Sequence, residues 1–414
     1  MRFPQPKWVF LVSIATIGFV VGGSGSVVVG LLISPLMAEF GWSNAMASSI
    51  ATAFSLAAIL SASGVGVALD QFGVRPVMIT GLLAVLTGLL LASMLHSRFG
   101  MLMAFVLAGA GSCAAFSVPS AVVVTNTMGP QTSLGMGVVS AAMSLGAASF
   151  SVLIGWWTEA YGWRTTLQLI ASAVVLMLPI VVMSMRITRT TRLAPRKPLP
   201  SSENSTLMAR SLMLSRAFIV STASAALFTF GMASIYYHVV SVLIRAGLST
   251  HLGSVIFGAS WLLSALGSLV FGAIADRVGV KVILAATQLL CALGTVFLLG
   301  AGSGPIGISC IVSFTIFWGM SANSVFQFMP VILSQRFGGQ YLGTLFGVLT
   351  AVAGVIGAAA PMVTGFIYDE FSDYRLAIYL SAIAMSFAFM LSCGISMPKP
   401  KTESDDARGV SATV

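Results

Sequence analysis

Gly66-Val-Ala-Leu-Asp70-Gln-Phe-Gly73-Val-Arg75 and Gly272-Ala-Ile-Ala-Asp276-Arg277-Val-Gly279-Val-Lys281 spell nearly the same turn. Both fit G-x-x-x-D-x-x-G-V-[R/K], and each lies between two long apolar runs. Their aspartates are 206 residues apart (276 − 70), about half of the 414-residue chain. A charged turn repeated at half-length, between segments too apolar for water, predicts two similar halves embedded in a membrane.

The composition agrees. Hydrophobic residues make up 57% of the chain and charged residues 7%, against roughly 25% charge in a soluble protein. So few charges cannot solvate a globular surface. The chain is basic, at +9, but its Lys and Arg cluster in short connectors, which marks membrane orientation rather than nucleic-acid binding. Cys113, Cys291, Cys310 and Cys393 lie in or beside apolar runs without C-x-x-C spacing, so they read as small packing residues rather than metal ligands or a disulfide framework.

A helical span needs about 20 apolar residues. Twelve runs qualify, at 8–37, 44–69, 74–95, 100–126, 134–158, 163–185, 216–244, 252–275, 280–301, 305–333, 341–368 and 375–397. The first is too long for a signal-peptide core and reads as a retained span. With both termini in the cytoplasm, all Lys and Arg fall inside except Arg98, Arg164, Arg245 and Arg375, the asymmetry that the positive-inside rule requires. The expected fold is an all-α membrane protein of twelve transmembrane helices in two six-helix bundles. Residues 1–185 form the first bundle, 186–215 a cytoplasmic linker, 216–397 the second bundle and 398–414 a disordered tail. The linker carries Pro195, Pro198, Pro200 and a run of basic residues, which set topology or touch anionic headgroups.

Glycine is abundant inside the spans, where small residues let helices approach closely. Gly22-Gly-Ser-Gly25 is the expected site of local bending in span 1. In the repeated turns, Gly73 and Gly279 suit a tight turn, and Gly66 and Gly272 suit close helix contact. Asp70 and Asp276, flanked by Arg75 and Arg277, can accept bonds from the amides at a neighbouring helix N-terminus. The turns are therefore expected to act as a conformational latch.

The repeated motif and the 6 + 6 layout resemble the major facilitator superfamily over essentially the whole chain. Phe40-Gly-Trp-Ser43, Tyr161-Gly-Trp-Arg164, Tyr237-His238-Val-Val, Ala246-Gly-Leu-Ser249, Arg336-Phe-Gly338, Pro361, Gly365 and Asp369 are similar to its monocarboxylate-porter and oxalate/formate-antiporter branch. The resemblance implies a central cavity lined by spans 1, 4, 7 and 10, opened alternately to each side. The chain departs from the branch at two points. Asn126-Thr-Met-Gly-Pro-Gln-Thr132 stands where a Trp-Phe pair and an Arg are usual, and Ser268 where the branch carries an Arg for a substrate carboxylate.

Ionised groups at mid-bilayer cost roughly 2.5–3.5 kcal/mol, so each one there needs a reason. All eleven acidic residues fall at connectors, termini or span ends. His238 is the titratable side chain that remains within a span, a candidate for both proton coupling and substrate binding. Tyr236 and Tyr237 flank it. Asn323 and Gln327, at i and i+4 on span 10, should face the bundle as ligands or as an interhelical bond. Trp261, Trp318 and Phe326 offer apolar walls, and Ser24 a hydroxyl in the glycine-rich segment of span 1. Arg245 stands near the external interface.

No nucleophile–base set, phosphate loop or metal cluster is present, so neither an enzyme nor an ATP-driven pump is expected, and no cofactor. The expected function is a monomeric secondary transporter of the inner membrane. Its substrate would be a small monocarboxylate or an aromatic or heterocyclic acid, taken up with protons. Rival readings are an exporter of a drug or metabolite, a carrier of an uncharged metabolite or vitamin, and a membrane sensor without flux, for which the short linker supplies no signalling domain.

Overall fold

The computed structural model describes residues 6–127, 132–186, 211–337 and 342–396. The stretch 187–210 of the expected linker and the tail 398–414 lie outside them. Among the described residues every regular element is helical. Span 1 is two helices, Pro6–Ser24 and Ser26–Phe40, parted at Gly25 within the segment expected to bend. Span 2 runs Asn44–Phe72 and span 3 Val74–Met94. Span 4 joins Arg98–Ser112 to Val118–Thr127 through a π turn, Cys113–Ser117. Spans 5 and 6 share the helix Thr132–Arg186. Spans 7, 8 and 9 are Arg216–Arg245, Thr250–Val278 and Val280–Phe297. Span 10 is Pro305–Ser321 followed by Ser324–Phe337, span 11 Leu342–Phe371 and span 12 Arg375–Cys393.

Among the described residues, eleven helices are long and apolar enough to cross a membrane. One of them holds two spans, because non-helical backbone at Gly162 (φ 80°, ψ 160°) interrupts it. The Thr158 and Thr166 hydroxyls come within 3.4 Å, although a straight helix would separate residues eight apart by about 12 Å. The chain therefore doubles back there without a connector, giving twelve spans. Large apolar side chains such as Ile306, Phe366 and Phe387 stand exposed on the outside, where a soluble protein could not leave so many.

Local chemistry repeats at the same 206-residue interval as the turns. Gly41 and Gly247 both adopt positive φ (63° and 94°), as do Gly73 and Gly279 (82° and 101°). Ser43 and Ser249 both N-cap the second helix of their half, accepting from Met46 N at 3.2 Å and Leu252 N at 3.1 Å. A serine cap satisfies one of the amides that a helix start leaves free. Glu39 and Arg245, again 206 apart, both anchor the end of a half's first span, Glu39 to the start of span 6 and Arg245 to the connector between spans 11 and 12. Glu39 binds Arg164 and the Trp163 indole N–H, the latter at 2.5 Å, and Arg245 donates to the Ser372 carbonyl at 3.2 Å.

Within each half, glycines set the closest crossings. A Cβ on Gly22 would lie 2.2 Å from the Met143 carbonyl oxygen, and one on Gly146 1.9 Å from that of Phe19, so spans 1 and 5 touch backbone to backbone. Spans 8 and 10 do the same, with Gly267 against the Met320 carbonyl. Such contacts replace the hydrophobic drive that helices lack in lipid. Polar bonds add to them in the second half, where Gln288 of span 9 donates to Ser224 of span 7 at 3.1 Å. Ser224 in turn lies 2.7 Å from the Ser392 hydroxyl of span 12.

The ends of the bundle that carry Gly73 and Gly279 form one face, here called the motif face. The opposite ends, with Gly41 and Gly247, form the far face.

Candidate functional site

The two halves meet along three pairs, span 1 with span 7, span 2 with span 11, and span 5 with span 8. On the span 2–span 11 pair the contact follows a gradient. At the far face, a Cβ on Gly365 would come within 2.7 Å of Ala45 Cα, and midway one on Gly354 within 2.7 Å of Ile59 Cδ1. Nearer the motif face, Gly64 and Gly66 on span 2 and Gly347 on span 11 have no neighbour among the described residues within 4 Å of where a Cβ would stand. The halves are closed at the far face and parted at the motif face.

His238 lies in the closed part. It is 1% exposed, and three elements face it. Its Nε2 is 3.0 Å from the Pro361 carbonyl of span 11 and 3.3 Å from the Ser48 hydroxyl of span 2, while the Tyr374 ring lies 5.6 Å away, centre to centre. A carbonyl only accepts, so the ring proton sits on Nε2. The other nitrogen, Nδ1, is buried without a partner. Ser48 also donates to Asn44 Oδ1 at 3.0 Å, and the Asn44 amide donates to the Tyr374 hydroxyl. Deeper along the same seam, Ser34 and Ser241 hydroxyls are 3.0 Å apart and Ser55 and Tyr237 hydroxyls 2.9 Å apart. Gly30 lets span 1 approach, its Cβ position only 3.4 Å from Tyr237 Cα. The Ser48–Asn44 and His238–Pro361 bonds stay within one half, and the other four, Ser48–His238, Asn44–Tyr374, Ser34–Ser241 and Ser55–Tyr237, join one half to the other.

The sequence-predicted site residues divide into groups. His238 and Tyr237 belong to this inter-half seam. Tyr236 turns to an aromatic cluster, edge-on to Tyr237, Phe257 and Trp261 at 4.7, 5.4 and 5.5 Å between ring centres. The Trp261 indole N–H is buried without an acceptor, as are the hydroxyls of Ser264, Ser321 and Ser324. Asn323 sits in the break of span 10 and reaches the Ser144 hydroxyl of span 5 at 3.4 Å, whereas Gln327 donates to the Ser268 carbonyl of span 8 at 2.6 Å. The two amides thus serve different interhelical bonds. Ser24 is turned back on its own helix, donating to the Val20 carbonyl at 2.7 Å. Trp318 is fully buried and stacks on Phe314, while Phe326 is exposed. Two recesses lie apart from this cluster. One is an apolar groove of about 470 Å³ between Leu11 and Ala142 on the flank of spans 1 and 5, and the other a cleft of about 390 Å³ beside Arg216, Arg336 and Ser396 at the motif face.

Of the repeated turn, Gly73 and Gly279 have the positive φ that favours glycine. Gly66 makes no close approach in this state, and a Cβ on Gly272 would meet only Gln327 Nε2, at 3.0 Å. Arg75 is half-buried and Arg277 exposed. The side chains of Asp70 and Asp276 lie outside what the structure describes.

Two carboxylates to which sequence reasoning gave no site role, Glu159 at the end of span 5 and Asp369 quoted only within the branch pattern, carry the far-face contacts. Asp369, at the end of span 11, accepts from the backbone amides of Asn44 at 2.6 Å and Ala45 at 2.7 Å, the first residues of span 2. Glu159, at the end of span 5, accepts from the amide of His251 at 2.6 Å, the second residue of span 8. Ala45 and His251 are 206 residues apart, so the interval that exposed the turns also marks these helix starts.

Comparison with known proteins gives this geometry its context. A family model described as Major Facilitator Superfamily matches residues 14–330 and 247–412. No curated protein matches the sequence. Among solved structures, the nucleoside transporter NupG aligns with a TM-score of 0.74 at 12% identity, covering 94% of this chain and 99% of that one. A D-xylose-proton symporter aligns with a TM-score of 0.72 at 14% identity, covering 95% and 99%. The inward open form of the xylose transporter XylE from E. coli aligns with a TM-score of 0.71 at 13% identity, covering 97% and 99%. At such low identity these likenesses establish the fold alone. Eleven long apolar helices among the described residues, one of them holding two spans, a half-length repeat and a family match over nearly the whole length together place the chain in the Major Facilitator Superfamily, as a multi-pass membrane transporter rather than an enzyme.

Proposed function

We propose that the protein takes up a small organic acid, a monocarboxylate or an aromatic or heterocyclic acid, together with a proton across the inner membrane. Its two six-helix bundles, 1–185 and 216–397, rock about a shared pocket, and both termini lie in the cytoplasm. The motif face is then cytoplasmic, and the structure stands in the state open to the cytoplasm, the state in which the E. coli xylose transporter was also captured. The observation that carries this reading is the seam at the far face, where the Ser48–His238 and Asn44–Tyr374 bonds join the halves and His238 Nδ1 is left unpaired. A second proton on that ring would be a buried unpartnered donor, which is costly. Proton uptake is therefore coupled to opening of the far face. Branch motifs from Phe40 to Asp369 supply the carboxylate class. The aromatic cluster of Tyr236, Tyr237 and Trp261 supplies flat apolar contact, with Asn323 and Gln327 as amide ligands from span 10 once their interhelical bonds exchange.

A second reading, an uncharged polar metabolite, is favoured by one observation. Among the described residues the arginines and Lys281 stand at or near helix ends, so no interior cation offers itself to a carboxylate. A monocarboxylate that enters with its proton is neutral as a pair and meets the same constraint. Proteoliposomes decide between them. With an inward-directed pH gradient, accumulation of radiolabelled benzoate above equilibrium supports the acid reading. Accumulation of a nucleoside or pentose, with benzoate unmoved, replaces it with the second.

A further inference from the structure

We propose that Asp369 and Glu159 are a two-fold-related pair of gating carboxylates that hold the far face shut by binding helix starts of the opposite half. The inference rests on the reading that the two faces open in turn. Its basis is geometric. A helix start presents backbone amides that have no partner within the helix and a partial positive charge. The starts of spans 2 and 8 are equivalent positions of the repeat, each preceded by a positive-φ glycine and a serine cap. In both cases the cap serves only one amide, Met46 N or Leu252 N. The remaining amides of Asn44, Ala45 and His251 find their acceptor on the other half, on the last turns of spans 11 and 5, which are also equivalent positions. One carboxylate therefore closes the span 2–span 11 seam and the other the span 5–span 8 seam.

Other polar contacts at this face behave differently. Glu39 with Arg164, Arg245 with Ser372, and Arg375 with Asp373 all stay within one half, so rocking leaves them intact. Among the described charged groups at this face, the carboxylates of Asp369 and Glu159 are the ones that must let go when the far face opens, together with the neutral Ser48–His238 and Asn44–Tyr374 bonds of the seam. Both carboxylates are exposed at the rim, and water can replace the amides they release. Such bonds bias the equilibrium without locking it, which a transporter that cycles requires.

The test places a reporter cysteine at Ser241, a buried seam position, in a chain whose four native cysteines are replaced, and follows its reaction with a membrane-impermeant maleimide from the far side. D369N and E159Q should each speed labelling about fivefold, and the double variant about twenty-five-fold, since the two contacts lie on separate seams. D373N, which alters a neighbouring exposed carboxylate bound only within its own half, should leave the rate unchanged. If D369N fails to reach the membrane, E159Q carries the test alone. A reporter that reacts in the parent but ignores both substitutions, or responds equally to D373N, overturns the pair and leaves alternating access standing. A reporter that stays unreactive in every variant, at every pH and with added substrate, overturns alternating access itself.

Discussion

Spans 2 and 11 pack against each other at one end and part at the other, so their two ends behave as different materials. At the far face Gly365 presses on the Ala45 backbone, Asp369 holds two amides of span 2, and His238, Ser48, Asn44 and Tyr374 close a continuous polar seam. At the motif face Gly64, Gly66 and Gly347 have open space where a side chain would begin. The difference teaches how one pair of helices serves two states. Contact is made of small residues and replaceable hydrogen bonds at the sealed end, and the glycines at the other end are held ready for the same kind of approach.

Three substitutions would break or sharpen this contrast. The largest effect is expected for Gly365→Val. Its side chain would have to occupy space already filled by the backbone of Asn44 and Ala45, and backbone does not yield as a flexible side chain does. The far face should stay open, and substrate turnover in proteoliposomes should fall more than tenfold while the protein still assembles. Turnover within twofold of the parent would show that the seal does not depend on that approach.

His238→Ala should act next. With one proton on the ring the seam is closed, so binding a second is linked to opening, and falling pH should favour the far-face-open form by at most tenfold per unit. The variant should lose that pH dependence of labelling at the far side while keeping its thermal stability in detergent within a few degrees. An unchanged pH profile would remove His238 from the mechanism.

The smallest effect is expected for Asp70→Asn. The motif face is parted in this state, so the substitution should alter only the opposite state, slowing turnover a few-fold and leaving the order of substrate preference intact. Altered selectivity at normal turnover would contradict a latch at the repeated turn.

How much of this was legible in the chain follows from which distances each feature needs. The spans needed only runs of apolar residues, and the halves needed only the 206-residue interval. The bend in span 1 could be placed because Gly22-Gly-Ser-Gly25 is a local signal. Span 10 was harder. Asn323 and Gln327 have the spacing of one helix face, but the break at Ala322–Asn323 and the neighbours Ser144 and Ser268 come from packing. Asp369 and Glu159 escaped because their partners are backbone amides, which every residue has and no residue type announces. The cost of burying charge also singles out mid-bilayer positions and says nothing of the rim. The positive-φ glycines and capping serines at 41, 43, 247 and 249 would have marked the helix starts, though not the carboxylates that reach them.

The doubling-back at Gly162 has a mechanical consequence. With no slack between spans 5 and 6, any tilt that frees Glu159 must swing the whole of span 6, and the displacement is delivered at Arg186, on the other side of the bilayer. A fluorophore attached there, paired with one fixed on the second bundle, would work as a lever arm: a gauge on the motif side of what the door at the far face is doing, read without touching the door.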